Sequence, residues 1–134
     1  MKKGMTLNEY QEKAMQTCMP SCDNISYMLL NLVGEVGEFS GKLAKAIRKG
    51  QVAIGGFSPA NRNELTIPSG PQELDFDVLS FDKELQKEAG DILWQLAGLC
   101  RVMGWSLEDV AKGNLDKLAD RAKRGKIDGD GDNR

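Results

Sequence analysis

Apolar residues recur at helical spacing in three long stretches of the chain and more weakly in a fourth. The weak stretch runs from Leu7 to about Cys18 and is ended by Pro20. A long helix is expected from about Asn24 to Lys49, capped by Ser21 or Asp23 and stopped by Gly50. Its apolar positions, Ile25, Met28, Leu29, Leu32, Val36, Phe39, Leu43 and Ile47, fall in one arc about 100° wide. A third helix is expected from about Phe81, capped by Ser80, to Met103, with Gly104 as its stop. The fourth opens at Ser106-Leu107-Glu108-Asp109, which resembles a capping box with Asp in place of Glu, and runs to about Arg124 before Gly125.

Between the second and third helices the pattern breaks down. Residues from about 50 to 79 hold Gly55-Gly56, Pro59, Pro68, Gly70 and Pro71, and read as a long loop. It has room for a short hairpin around Glu64-Leu65-Thr66-Ile67. Loops of this length are ordinarily functional or mobile. The tail, residues 126–134, is too polar and glycine-rich to pack by itself. The expected fold is all-α, a bundle of four to five helices in one domain over residues 1–134. On the third helix, Phe81, Leu85, Ile92, Leu96 and Met103 form one face, which Leu93 and Cys100 widen, while Trp94 points roughly opposite. An almost wholly apolar helix in so short a chain predicts a homo-oligomer, dimer or tetramer.

Composition narrows the chemistry. The 134 residues include 20 acids, 18 Lys/Arg and no histidine. That excludes Ser-His-Asp and Cys-His catalysis, His-ligated zinc and a proximal-His haem. A net charge of −2 argues against a broad nucleic-acid-binding surface, so no direct nucleic-acid partner is expected. No apolar run approaches the ~18 residues that span a bilayer. The N-terminus lacks the apolar stretch of a signal peptide. The three cysteines, Cys18, Cys22 and Cys100, are expected to be reduced, in a cytoplasmic protein.

One short pattern occurs twice. Glu35-Val36-Gly37-Glu38-Phe39 matches Glu88-Ala89-Gly90-Asp91-Ile92 position for position as acid, small apolar, glycine, acid, apolar. Each first acid follows a core leucine, Leu32 or Leu85, by three residues, and so sits on the rim of the apolar arc. Packed antiparallel, the two helices would face four carboxylates across a groove. Two carboxylates ~5 Å apart repel by about 3 kcal/mol at an effective dielectric near 20. Either some take up protons or divalent cations sit between them. With oxygen donors only, the expected ion is Mg²⁺, then Mn²⁺, with Ca²⁺ a further candidate. A lone Glu-x-x-Glu is ordinarily a solvated face, and Glu38 could simply pair with Lys42. The duplication, the rim position and the mid-helix glycines Gly34, Gly37 and Gly41 together favour a metal site. Such glycines cost about 1 kcal/mol each and admit close approach of a backbone or ligand.

The paired Glu-x-x-Glu and Glu-x-x-Asp segments resemble the MazG-like nucleoside triphosphate pyrophosphohydrolase family. So do Leu7-Asn8-Glu9-Tyr10-Gln11, Asn114-Leu115-Asp116-Lys117-Leu118-Ala119-Asp120-Arg121 and the Gly-x-Gly-Asp-x-Arg tail at 129–134. The connection between Glu38 and Glu88 is longer than usual for the family. The resemblance implies the all-α pyrophosphohydrolase fold and Mg²⁺-dependent hydrolysis of a nucleoside triphosphate to the monophosphate and pyrophosphate, for nucleotide-pool cleansing. It implies that Glu35, Glu38, Glu88 and Asp91 hold the ions, and that Asn114 and Lys117 hold the nucleotide. Glu38 is the expected base, since a carboxylate must take the proton of the attacking water. Arg121 shares a helix face with Asn114 and Lys117, and Lys42 lies one turn beyond Glu38, within reach of a phosphate. Asp132 and Arg134 could close over a neighbouring subunit's site. The basic residues near the end of the last helix, Lys123 and Arg124, more simply offset its dipole.

Three other readings compete. One is a narrower dUTP or dCTP pyrophosphatase of the same superfamily. Another is a non-catalytic helical oligomer, which would gain nothing from four unpaired carboxylates. A di-iron bundle would need Glu-x-x-His pairs, and there is no histidine. The P-loop-like run Gly37–Lys42 is one residue short and lies mid-helix.

Overall fold

The computed structural model describes residues 3–54, 65–66 and 76–128. The elements are α-helices α1 (Leu7–Met15), α2 (Ile25–Arg48), α3 (Val78–Val102) and α4 (Leu107–Lys123), a 3₁₀ turn at Pro20–Cys22, and two two-residue strands. The strands, β1 (Ala53–Ile54) and β2 (Leu65–Thr66), pair antiparallel with Ala53 opposite Thr66. The hairpin expected around 64–67 therefore does not close on itself, since its central pair joins residues just past α2. The rest of the expected loop, 55–64 and 67–75, lies outside the described residues, as do Asp132, Arg134 and the tail from 129.

Three boundaries differ from expectation, each for a local reason. α1 stops at Met15 instead of continuing to about Cys18, because the chain tightens there. Thr17 N and Cys18 N donate to the carbonyls of Ala14 and Met15 three residues back, and the Thr17 hydroxyl also donates to the Ala14 carbonyl at 2.6 Å. Asn24, not Ser21 or Asp23, caps α2: its Oδ1 accepts from Tyr27 N at 2.8 Å. α3 starts at Val78, three residues early, because Asp77 is its cap instead of Ser80. Asp77 Oδ1 accepts from Leu79 N and Ser80 N, and Oδ2 accepts from the Ser80 hydroxyl. α4 opens on Ser106 as expected, with Asp109 N donating to its hydroxyl at 3.2 Å. The stops at Gly50 and Gly104 also hold, with φ of 68° and 75°.

The described residues gather into two compact units, and α2 and α3 contribute to both. The first contains the chain up to Leu29 and from Trp94 onward. Its core is Met15, Met28, Ala97, Cys100 and Leu107, with Tyr10, Tyr27, Trp94 and Leu99 packed against it. Met28 fills the space a side chain at Gly98 would need: a Cβ there would stand 2.4 Å from the Met28 sulfur. Trp94 was expected to point away from the core side of α3. Instead it packs inward, its indole N–H donating to Ala14 O and to the Thr17 hydroxyl. Leu93, Leu96 and Met103 are left exposed. The expected apolar arc of α2 is likewise only partly covered: Met28 is buried, Leu32, Phe39 and Leu43 are half-buried, and Ile25, Leu29, Val36 and Ile47 are exposed.

The N-terminus of α4 is tied to α1. Gln11 Oε1 accepts from Leu107 N, and its amide donates to Ala97 O and Trp105 O, at 3.0 to 3.1 Å. Asn8 Oδ1 accepts from the Ser106 hydroxyl and from Glu108 N. The first donors of α4 are thus taken up by two side chains nearly a hundred residues away in sequence. Gln11→Ala is expected to destabilise the chain by about 1–3 kcal/mol in denaturant unfolding, because it strips partners from three backbone groups at once. An unchanged unfolding midpoint would show that water replaces the amide without cost.

Candidate metal and phosphate site

The second compact unit, Leu30–Leu93, holds the duplicated acidic motif. On α2, Asn31, Glu35, Glu38, Lys42 and Lys45 follow one another at alternating spacings of four and three, and so share one face, and Lys49 continues the spacing just past the helix end. On α3, Glu84, Glu88 and Asp91 do the same. Ala46, Val52 and Leu85 are buried in the same unit.

Three of the four predicted acids meet. Carboxylate oxygens of Glu35, Glu88 and Asp91 all lie within 4.8 Å of one another. Glu88 is buried, at 7 % exposure, Glu35 is half-buried and Asp91 is exposed. Glu38 is exposed and stands outside this triple, although its charge acts on Glu35. Burial first, and then the charges of Glu38, Asp91 and Glu88, push the Glu35 carboxyl above the usual carboxylate range. A 3.3 Å hydrogen bond donated by the Asn31 amide opposes that shift.

Glu88 has one satisfied and one unsatisfied oxygen. Its Oε1 forms an ion pair with the Lys42 ammonium. Its Oε2 is buried and has no hydrogen-bond partner among the described residues. Lys42 is raised above its ordinary value, chiefly by the hydrogen bond to Glu88, so it stays an ammonium throughout the neutral range. A buried carboxylate oxygen without a donor is costly. Two further carboxylates at the same point make a cation the natural complement. The donor set is all oxygen and suits a hard divalent ion.

Asp132 and Arg134 lie outside the described residues. Asn114, Lys117 and Arg121 belong to α4 in the first unit. Asn114 and Lys117 are exposed there and Arg121 is buried at 4 %. The glycines beside the acids, Gly37, Gly41 and Gly90, have open space where a side chain would start, and Gly34 meets only the Asn31 side chain. Within the described residues, then, no second backbone makes the close approach expected at these positions. Asn31 was missed from sequence. Its place four residues before Glu35, on the same face, was the available signal.

The comparisons with known proteins fall on these same residues. The sequence matches the MazG nucleotide pyrophosphohydrolase domain over residues 24–125, which includes both acidic segments and the whole of α4. It is 33% identical over 137 residues to the "Gene 37 protein" of Mycobacterium phage L5, covering 97% of this chain and 100% of that protein. No solved structure matches it significantly. The chain belongs to the MazG nucleotide pyrophosphohydrolase domain family.

Proposed function

We propose that this protein hydrolyses nucleoside triphosphates to the monophosphate and pyrophosphate, using Mg²⁺ or Mn²⁺. The observation that carries the proposal is the meeting of Glu35, Glu88 and Asp91 around the partnerless buried oxygen of Glu88. These three carboxylates would hold the ion. When bound, the ion neutralises charge on the triphosphate and eases deprotonation of the attacking water. Glu38, exposed and one turn along α2 from Glu35, accepts the water proton. The water oxygen bonds to the α-phosphorus, the bond from that phosphorus to the β-bridging oxygen breaks, and pyrophosphate leaves. Lys42 is half-buried at the edge of the cluster and already carries an ammonium there, where it balances negative charge. Asn114, Lys117, Arg121, Asp132 and Arg134 are nucleotide-binding residues in this reading by family resemblance alone.

Self-association belongs to the same proposal. Ile25, Leu29, Val33 and Val36 form one exposed apolar stripe on α2, with exposures of 50, 50, 68 and 45 %. Light scattering is expected to give a dimer or tetramer mass; the mass of one chain would refute it.

Incubation with Mg²⁺ and a panel of ribo- and deoxyribonucleoside triphosphates is expected to release pyrophosphate and monophosphate. Orthophosphate as the product, or intact nucleotide throughout the panel, overturns the proposal. Glu38→Gln is expected to lower kcat by about 10²–10⁴ with an unchanged unfolding midpoint. Glu88→Gln is expected to remove both turnover and Mg²⁺ binding. A fully active Glu38→Gln enzyme would leave the base to another residue.

The metal-free protein is also expected to carry a pH signature. Between the ordinary carboxyl value of 4.5 and its raised folded value, Glu35 holds a proton that the unfolded chain has lost. Stability therefore falls as pH rises through that interval and stays lower above it. Glu9 and Asp77 have lowered values, so they act in the opposite sense at more acidic pH. The chain has no histidine to obscure the neutral range. Melting midpoints of metal-free protein should fall as pH rises above the ordinary carboxyl value of 4.5, and saturating Mg²⁺ or Glu35→Gln should flatten the slope. A midpoint constant or rising with pH in the absence of metal would contradict this.

A further inference from the structure

A second concave surface adjoins the acid cluster. Within the Leu30–Leu93 unit, a cavity of about 290 Å³ is lined by Lys42, Lys45, Lys49, Phe76, Phe81 and Glu84, among others. Lys42 and Lys45 share one face of α2, and Lys49 follows four residues later, just past the helix end. The Phe76 and Phe81 rings pack against each other with centroids 5.5 Å apart at 54°, which gives the cavity an apolar wall. Three ammonium groups around one concavity reinforce one another's attraction for an anion.

Lysines in the last turn of a helix can simply offset its dipole, and Lys45 lies in the last turn of α2. Two observations take this group further. The lysines converge on a cavity with an aromatic wall. Lys42 also belongs to both places at once: it lines the cavity, and its ammonium is paired with Glu88 of the acid cluster. The face of α2 thus passes from Asn31, Glu35 and Glu38 to Lys42 and Lys45, with Lys49 just past its end. Lys45 and Lys49 are exposed, and neither has an ion pair among the described residues. Among the described residues Glu84 is the one acid lining the cavity, and its charge acts on Lys42.

We infer that this cavity seats the two outer phosphates of the substrate, and pyrophosphate after cleavage, with Lys45 and Lys49 as binding residues and Glu84 limiting how tightly the product is held. The scissile phosphate then lies toward Glu35, Glu88 and Asp91, and the leaving group lies toward the end of α2. The inference rests on the triphosphate reading for the identity of its ligand, while binding of the diphosphate group is tested without turnover.

The experiment is calorimetric titration of the intact protein with inorganic pyrophosphate in metal-free buffer. Lys45→Gln and Lys49→Gln are each expected to weaken binding several-fold, and the double variant at least tenfold. Glu84→Gln is expected to tighten it several-fold. Because Lys45, Lys49 and Glu84 are exposed, unfolding midpoints should stay at the wild-type value. In the nucleotide assay Lys45→Gln should raise KM more than it lowers kcat, the mark of a contact made before and during the reaction. Wild-type protein that does not bind pyrophosphate, or a double variant that binds it as wild type does, overturns the inference. Hydrolysis of nucleotides with no dependence on these lysines overturns the cavity assignment and spares the proposed function. Lysine-dependent pyrophosphate binding without hydrolysis of any nucleotide does the reverse.

Discussion

Like charges held together against their repulsion set the terms for the second compact unit. Glu35, Glu88 and Asp91 approach within 4.8 Å, and each pair of full charges at that range costs about 3 kcal/mol at an effective dielectric near 20. A chain with no cation to spend there would splay the helices or protonate the acids. Two local devices offset the cost. Lys42 places an ammonium on Glu88, and Asn31 donates an amide hydrogen bond to Glu35. Both lie on the same face of α2 as Glu35 and Glu38, so the helix that contributes to the repulsion also carries part of its compensation. The remaining imbalance is visible in the raised Glu35 carboxyl and in the unpartnered Glu88 oxygen.

Much of this was legible in the sequence because it repeats with the period of a helix. The doubled acid-glycine-acid pattern, the glycine stops and the long apolar periods of α2 and α3 are all local features, and the elements lie close to where they predict. The meeting of Glu35, Glu88 and Asp91 followed from placing each acid on the rim of its stripe. That rule could not separate Glu38 from the triple. Glu38 occupies the place in its motif that Asp91 occupies in the other, and only the packing of the two helices makes them unequal. Trp94 misled for a similar reason: its angle on α3 was read correctly, but the carbonyl of Ala14 and the hydroxyl of Thr17 that draw it inward belong to α1. The helix caps differed where several eligible residues stood side by side, Ser21, Asp23 and Asn24 before α2, and Asp77 and Ser80 before α3.

Contacts between distant segments were the least legible. Asn8 and Gln11 were recognised only as part of a familiar segment, with no physical role attached. Their work is at the start of α4, where they receive the backbone donors of Leu107 and Glu108. No periodicity in α1 announces this, because both residues would serve equally well as solvated polar positions on an amphipathic helix. The pairing of Lys42 with Glu88 is hidden in the same way. From sequence, Lys42 had an evident partner in Glu38, four residues before it, and the helix surface rule favours that pair. Burial decides otherwise. Glu88 is 7 % exposed and gains more from an ammonium than exposed Glu38 does, since solvent already screens the latter.

That choice of partner bears on how one helix can serve two anionic tasks. If Lys42 paired with Glu38, the lysines of α2 and the carboxylates of the cluster would be separate features along a solvated face. Paired with Glu88, Lys42 becomes the joint between them, and the sign of the charge changes within one helical turn of the place where the chemistry is proposed. A triphosphate is most negative at its outer end and reacts at its inner phosphate. A surface that is acidic where a cation belongs and basic one turn further on therefore favours one orientation of such a ligand over its reverse. The near-balance of 20 acids and 18 bases in the whole chain conceals that ordering, which arises from spacing along α2 and from a single cross-helix ion pair.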